Sequence, residues 1–228
     1  MKKIIRSSER YLSDYGDIKS HFLFSFASYQ DPNNMNWWDI RVFNDDFVWA
    51  GSWFPMHPHK HFEIMTIMLR GTLTHQDSLW NKETIREGQV QVTNTGRGIS
   101  HSEFNEGKED VLLYQIWFSP KKPIEEPSYY TAKFDINQFK DTLLTIASWI
   151  EPTENKLISE VSVKRWIFGK EKKIELAVNH TLLLYVTSGS LSVNWEILWE
   201  KDQLRASQEG ILEIIFLEKS EILVIESL

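Results

Sequence analysis

The chain has 228 residues, with 25 lysines and arginines against 32 aspartates and glutamates and a formal net charge of −7, and a chain this long buries enough surface to fold without a disulfide or structural metal. The acidic balance offers no field for a phosphate backbone, and no basic run exceeds Lys121–Lys122 or Lys170 to Lys173, which argues against direct nucleic-acid binding. Cysteine is absent, so thiolate nucleophiles, disulfides and iron–sulfur clusters are excluded, and any metal must be held by histidine and carboxylate.

At the N-terminus, the basic residues between Met1 and Arg10 are followed by Asp14 and Asp17 rather than an apolar core, which argues against a signal peptide. No stretch approaches the roughly 20 apolar residues that span a bilayer. The expected location is cytoplasmic, with no membrane partner. Further on, short apolar or alternating runs recur between turn signals, the pattern of an all-β protein. Strands are predicted over His21 to Tyr29, Trp38 to Phe43, Phe62 to Leu69, Val90 to Asn94 and Val111 to Phe118. Turn signals fall at Asp31-Pro32-Asn33-Asn34, Asn44-Asp45-Asp46, Arg70-Gly71, Glu87-Gly88, Gly96-Arg97-Gly98 and Asn105-Glu106-Gly107. The segment Gln138 to Trp149 reads equally as a short helix or as a strand.

Pro120, Pro123 and Pro127 form a polar break that divides the chain into predicted domains of residues 1–131 and 132–228. The second half repeats the first. With Gly71 set against Gly189, Ile67 to Thr74 matches Tyr185 to Ser192 in chemical type at nearly every position, an offset of 118 residues. Two similar β halves are expected.

Four of the seven histidines are His57, His59, His61 and His101; the others, His21, His75 and His180, are scattered. Residues two apart on a strand share a face, so His57 and His59 aim into one space, and His101 and Glu103 repeat the spacing. Any one of these histidines alone reads better as a core-edge side chain, but the pair of pairs reverses those odds. Side by side, the two segments assemble three imidazoles and a carboxylate, a set that suits divalent iron, nickel, copper, manganese or zinc. Pro58 lacks a ladder donor and marks an edge or irregular spot where a site can open. Gly96 and Gly98 would let backbone approach closely, or simply form a turn.

The run Gly51, His57-Pro58-His59, Glu63 and Gly71, followed by Gly88, Gly98-Ile99-Ser100-His101 and Asn105, resembles the two signature motifs of the cupin superfamily. More specifically, His57-Pro58-His59-Lys60, His75-Gln76-Asp77-Ser78, Thr95-Gly96-Arg97-Gly98-Ile99 and His101-Ser102-Glu103 resemble the pirin family, closest to its bacterial quercetinase-like members. Asn44-Asp45-Asp46 and Tyr114-Gln115-Ile116-Trp117 sit where that family has similar words.

The resemblance implies a bicupin of two β-barrels, with metal only in the N-terminal one, held by His57, His59, His101 and Glu103. The offset of 118 sets Glu175, Ala177 and Thr181 opposite His57, His59 and Glu63. The implied cofactor is a divalent ion, iron(II) first, with nickel, copper, manganese, cobalt and zinc as alternatives. The implied reaction is that of a quercetin 2,3-dioxygenase, which opens a flavonol ring with dioxygen, Glu103 acting as both ligand and base. The alternative is a non-catalytic regulator that binds metal and acts through protein partners.

Both Glu63 and Glu103 satisfy the facing rule; the pirin resemblance favours Glu103 and leaves Glu63 to orient a histidine. His61 departs from the family and reads as partly exposed. Trp53, Phe54, Met56, Met65 and Phe43 are candidates for an apolar substrate slot, although each also reads as core packing. A cupin isomerase for a small polar substrate would need a more polar set than Trp53, Phe54 and Met56.

Overall fold

In the computed structural model, residues 1–227 are described except Ile124 and Pro152. Alternating side chains and frequent turns give two antiparallel β-barrels. The first uses β2 (Tyr11–Asp14), β3 (Ile18–Phe22), β4 (Ile40–Val48), β5 (Trp53–His59), β6 (Glu63–Arg70), β7 (Thr72–Asp77), β8 (Lys82–Arg86), β9 (Gln89–Asn94), β10 (Ile99–Phe104), β11 (Val111–Phe118) and β12 (Ser128–Lys133). The second uses β1 (Lys2–Ile5), β13 (Leu144–Ser148), β14 (Val161–Phe168), β15 (Lys173–Val178), β16 (Thr181–Ser188), β17 (Ser190–Val193), β18 (Glu196–Trp199), β19 (Gln203–Ser207), β20 (Gly210–Phe216) and β21 (Ser220–Ser227).

The repeat is a repeat of topology. The first barrel has sheets ordered β12-β9-β6-β11-β4-β3-β2 and β5-β10-β7-β8; the second has β1-β19-β16-β21-β14-β13 and β15-β20-β17-β18. One position breaks the sequential pattern. The edge that β12 fills on β9 is filled on β19 by the N-terminal strand β1, with Lys2 opposite Ala206 and Ile5 opposite Gln203.

The compact units are therefore 11–134 with 154–159, and 1–10 with 135–153 and 160–228. This departs from a linear division at 131/132, which falls inside β12. Strand pairing across some two hundred residues leaves no local mark in the sequence. Residues 154–159 stay with the first barrel because Asn155 Nδ2 donates to Val90 O at 3.2 Å and the Glu63 carboxylate accepts the N–H groups of Ile158 and Ser159 at 2.6 Å each.

Three local expectations change. The strand expected over His21 to Tyr29 ends at Phe22, and the residues after it form bends, turns and an isolated bridge between Phe26 and Tyr29. Asn44-Asp45-Asp46 is no turn but the middle of β4, paired residue by residue with β3 and β11; ladders on both sides override the turn preference of the three residues. Gln138 to Trp149 forms no α-helix: a 3-10 turn at Ile136–Phe139 leads into β13. Among the described residues, no helix is long and apolar enough to cross a membrane.

The two interiors differ in chemistry. In the second barrel Leu176, Val178, Leu184, Leu212, Ile214 and Val224 are all buried in one apolar cluster. On β15 these neighbours leave Glu175 and Ala177 exposed. In the first barrel the inward residues change from apolar to polar and back along each strand: Val42, Asn44, Asp46, Val48 on β4; Trp117, Gln115, Leu113 on β11; Ile64, Thr66, Met68 on β6. Apolar clusters close both ends of this zone. The buried polar belt between them is where the site lies.

Candidate metal centre and its cavity

β10 lies between β5 and β7, with His101 opposite His57 on one side and Glu103 opposite His75 on the other. Between Phe54 and His57, β5 carries one more residue than β10 does between His101 and Glu103, a bulge on β5, while β10 keeps an unbroken register with β7. This pairing brings the nitrogens of His57, His59 and His101 within 4.8 Å of one another, and it does the same for His75, His101 and Glu103. Of the residues expected as ligands, His57, His59 and His101 come together, while Glu103 is grouped with His101 and His75 and not with His57 and His59. His75, read as scattered, also belongs to the cluster; its ring centroid is 4.7 Å from that of His101.

The donor set fits a cation. His57 Nδ1 lies 2.7 Å from Pro55 O, and because a carbonyl can only accept, Nδ1–H donates and Nε2 is the nitrogen presented to the cluster. That Nε2 is 3.0 Å from His101 Nε2, the separation of adjacent ligands at right angles around a metal with bonds of about 2.1 Å. His59 Nε2 and His75 Nε2 are buried and make no hydrogen bond among the described residues.

Burial, reinforced by the neighbouring imidazoles, pushes His59 down to about 3 and His101 down to about 2. Both rings are therefore neutral, the form that binds metal. Burial pushes the Glu103 carboxyl up to about 7, partly opposed by the Gln115 amide. Gln115 Nε2 reaches the two Glu103 oxygens at 3.2 and 3.1 Å, and its own Oε1 accepts from Trp117 Nε1 at 3.1 Å.

Beside this cluster opens a cavity of about 670 Å³. Phe22, Phe26, Trp53, Phe54 and Trp117 supply its aromatic lining, and His57, Glu103 and Gln115 supply polar wall. Trp53 and Phe54 are where the apolar slot was expected. Met56 is instead exposed, while Phe43 and Met65 are fully buried and absent from the lining. Parity explains the last two: Phe43, Ile116 and Met65 form one row across the ladder, on the face opposite Asn44, Gln115 and Thr66.

Glu63 does not orient a histidine. It is 0% exposed and holds the backbone of Ile158 and Ser159. His61 lies past the end of β5, exposed, with φ 60°, its N–H donating to Gly96 O at 3.0 Å. The left-handed turn takes its side chain away from the face of His57 and His59. Missing from the sequence reading were His75, Gln115, Asn44 and Asp46. The words His75-Gln76-Asp77-Ser78, Tyr114-Gln115-Ile116-Trp117 and Asn44-Asp45-Asp46 contain all four, but only strand pairing shows what they face.

The pirin family model matches residues 5–118. The quercetin 2,3-dioxygenase of Escherichia coli K12 is 34% identical over 224 residues, 97% of this chain and 96% of that protein. A pirin-like protein of Caulobacter vibrioides is 34% identical over 221 residues, 94% of each. The crystal structure of the bacterial pirin YhhW from Escherichia coli in complex with nickel(II) superposes with a TM-score of 0.93 at 32% identity, covering 100% of this chain and 99% of that one. With similarity extending over both barrels, this chain belongs to the pirin family.

Proposed function

We propose that this protein is a metal-dependent dioxygenase that cleaves the heterocyclic ring of a flavonol such as quercetin, incorporating dioxygen and releasing carbon monoxide. The observation that carries the reading is the aromatic-walled cavity with His57 and Glu103 in its lining. A flat, largely apolar substrate with an acidic hydroxyl matches both parts of that wall. The name of the Escherichia coli relative supports the same chemistry.

The proposed ligands are His57, His59, His101 and Glu103. A divalent ion bound there would supply a Lewis-acid centre with positions left open for small ligands. The chain's own contribution is proton handling and exclusion of water. The Glu103 carboxylate, in the cavity wall with His57, would accept the proton of an enolic hydroxyl brought within hydrogen-bond reach. Gln115 keeps the Glu103 oxygens turned toward the cluster, and Phe22, Phe26, Trp53, Phe54 and Trp117 provide apolar surface for the rings.

The test is to load the purified protein with iron(II) or nickel(II), the latter being the ion in the YhhW complex, and follow loss of quercetin absorbance together with dioxygen uptake. Glu103→Ala should abolish both without changing the circular dichroism spectrum. Unchanged turnover in that variant removes Glu103 from the mechanism. No turnover of any flavonol with any divalent ion, together with a stoichiometric protein partner in a pull-down, would replace the enzyme by a metal-binding regulator.

A further inference from the structure

On β4, Asn44 and Asp46 both point inward and line the cavity, 4% and 3% exposed. Asn44 is opposite Gln115 on β11 and Phe22 on β3; Asp46 is opposite Leu113 and Ser20. A polar strip thus extends from Glu103 through Gln115 and Asn44 to Asp46, along a wall that also carries Phe22, Phe26, Trp53, Phe54 and Trp117. Asn44 Oδ1 and Asp46 Oδ1 are buried and make no hydrogen bond among the described residues. A buried acceptor left unpaired is costly, so two on one cavity wall mark a place where a ligand completes the hydrogen bonding.

We propose that Asp46, with Asn44 beside it, forms a second polar subsite that binds a phenolic hydroxyl of the substrate remote from the oxygens facing His57 and Glu103. It deepens the flavonol reading and rests on it: the preferred substrates are polyhydroxylated flavonols, not the bare ring system. Asp46 is a specificity residue rather than one that touches the reacting atoms. Burial, helped by Asp45 and Glu103 and opposed by a Ser20 hydrogen bond, pushes its carboxyl up to about 8. Held neutral, the group can donate to a phenol oxygen as well as accept from a phenol hydrogen.

A site built around a hydroxyl rejects the analogue that lacks it because its buried polar atoms stay unpaired. The experiment is anaerobic calorimetric titration of the nickel(II)-loaded protein with quercetin and with 3-hydroxyflavone, which keeps the 3-hydroxyl and 4-keto oxygens and lacks the phenolic hydroxyls. The wild type is expected to prefer quercetin by about tenfold or more, the equivalent of one net hydrogen bond of about 1.4 kcal/mol. Asp46→Leu should erase the preference by weakening quercetin alone, and Asp46→Asn, which keeps an acceptor and the shape, should reduce it by about threefold. Metal content and circular dichroism identify a variant that has failed to fold.

Equal affinity of the wild type for both ligands, or full retention of the preference in either folded variant, overturns the subsite and leaves the flavonol reading standing. Binding of neither ligand by the wild type overturns both.

Discussion

Gln115 reaches both carboxylate oxygens of Glu103 from a single amide nitrogen, at 3.2 and 3.1 Å, while its own carbonyl oxygen accepts from Trp117. The three side chains form one line of hydrogen bonds, so the orientation of Glu103 is set from the sheet behind it. Gln115→Leu keeps the volume and removes the donor. Nickel(II) affinity is expected to fall about 10–100-fold, the usual cost of losing a partner that orients a metal ligand, and calorimetric titration measures it. An unchanged affinity would make Gln115 a packing residue only.

Glu63 is expected to act on stability and not on metal. Its carboxyl, raised above the ordinary value by burial despite these bonds, accepts two backbone N–H groups at 2.6 Å from a segment more than ninety residues away, and each donor left unpaired costs about 1–3 kcal/mol. Glu63→Ala should therefore cost about 3 kcal/mol or more, read as an earlier urea midpoint. The folded variant should keep the metal stoichiometry of the wild type. Lost metal without lost stability would return Glu63 to the site.

These two glutamates show how far the sequence could be read. Spacing by two places His57 with His59 and His101 with Glu103 on shared faces, because parity is a local property of a strand. Which strands lie side by side is not local. The β5–β10–β7 order that adds His75, and the bulge on β5 between Phe54 and His57, come from pairing with distant residues. Glu63 and Glu103 are alike in parity, and only the fold sends one to Ile158 and the other to the histidines. Asn44-Asp45-Asp46 misleads for the opposite reason: three good turn formers are held extended by ladders on both sides.

In the second barrel Lys164 donates to Glu226 at 2.7 Å and lies 3.2 Å from Glu151. Burial alone would lower the Lys164 pKa, but its two carboxylate neighbours raise it above the ordinary 10.5. Burial likewise opposes Glu151, and the hydrogen bonds from Thr145 and Lys164 bring it below the ordinary 4.5. A depressed carboxylate stabilises the fold above its unfolded value and loses that contribution as pH falls through the folded one. A raised lysine stabilises below its unfolded value and loses that contribution as pH rises through the folded one. Lys164→Met should therefore lower the melting temperature most between pH 4.5 and 10.5. The gap to the wild type should shrink on either side. A gap independent of pH would mean that Lys164 acts through its apolar stem.

Gly71 and Gly189 test the repeat itself, since each turns one barrel's central strand into its next, at φ 80° in both. Alanine in this left-handed conformation costs about 1–2 kcal/mol at either position. What a methyl group would meet differs. At Gly71 it would lie 2.9 Å from Val111 Cγ2 and 3.1 Å from Asp110 O, a milder crowding. At Gly189 it would collide with Ser220 Oγ and come within 2.7 Å of Lys219 O. Neither yields easily, because Ser220 Oγ is tied to Ser190 N at 3.0 Å and Ser190 O at 2.9 Å. Gly189→Ala should accordingly destabilise more than Gly71→Ala, although it stands in the barrel without the histidine cluster. Urea midpoints of the two variants compare the costs. In the folded protein, Gly189→Ala should leave nickel(II) affinity as in the wild type, and equal losses of stability at the two positions would show that strain in the backbone, not the close approach to Lys219 and Ser220, dominates both turns.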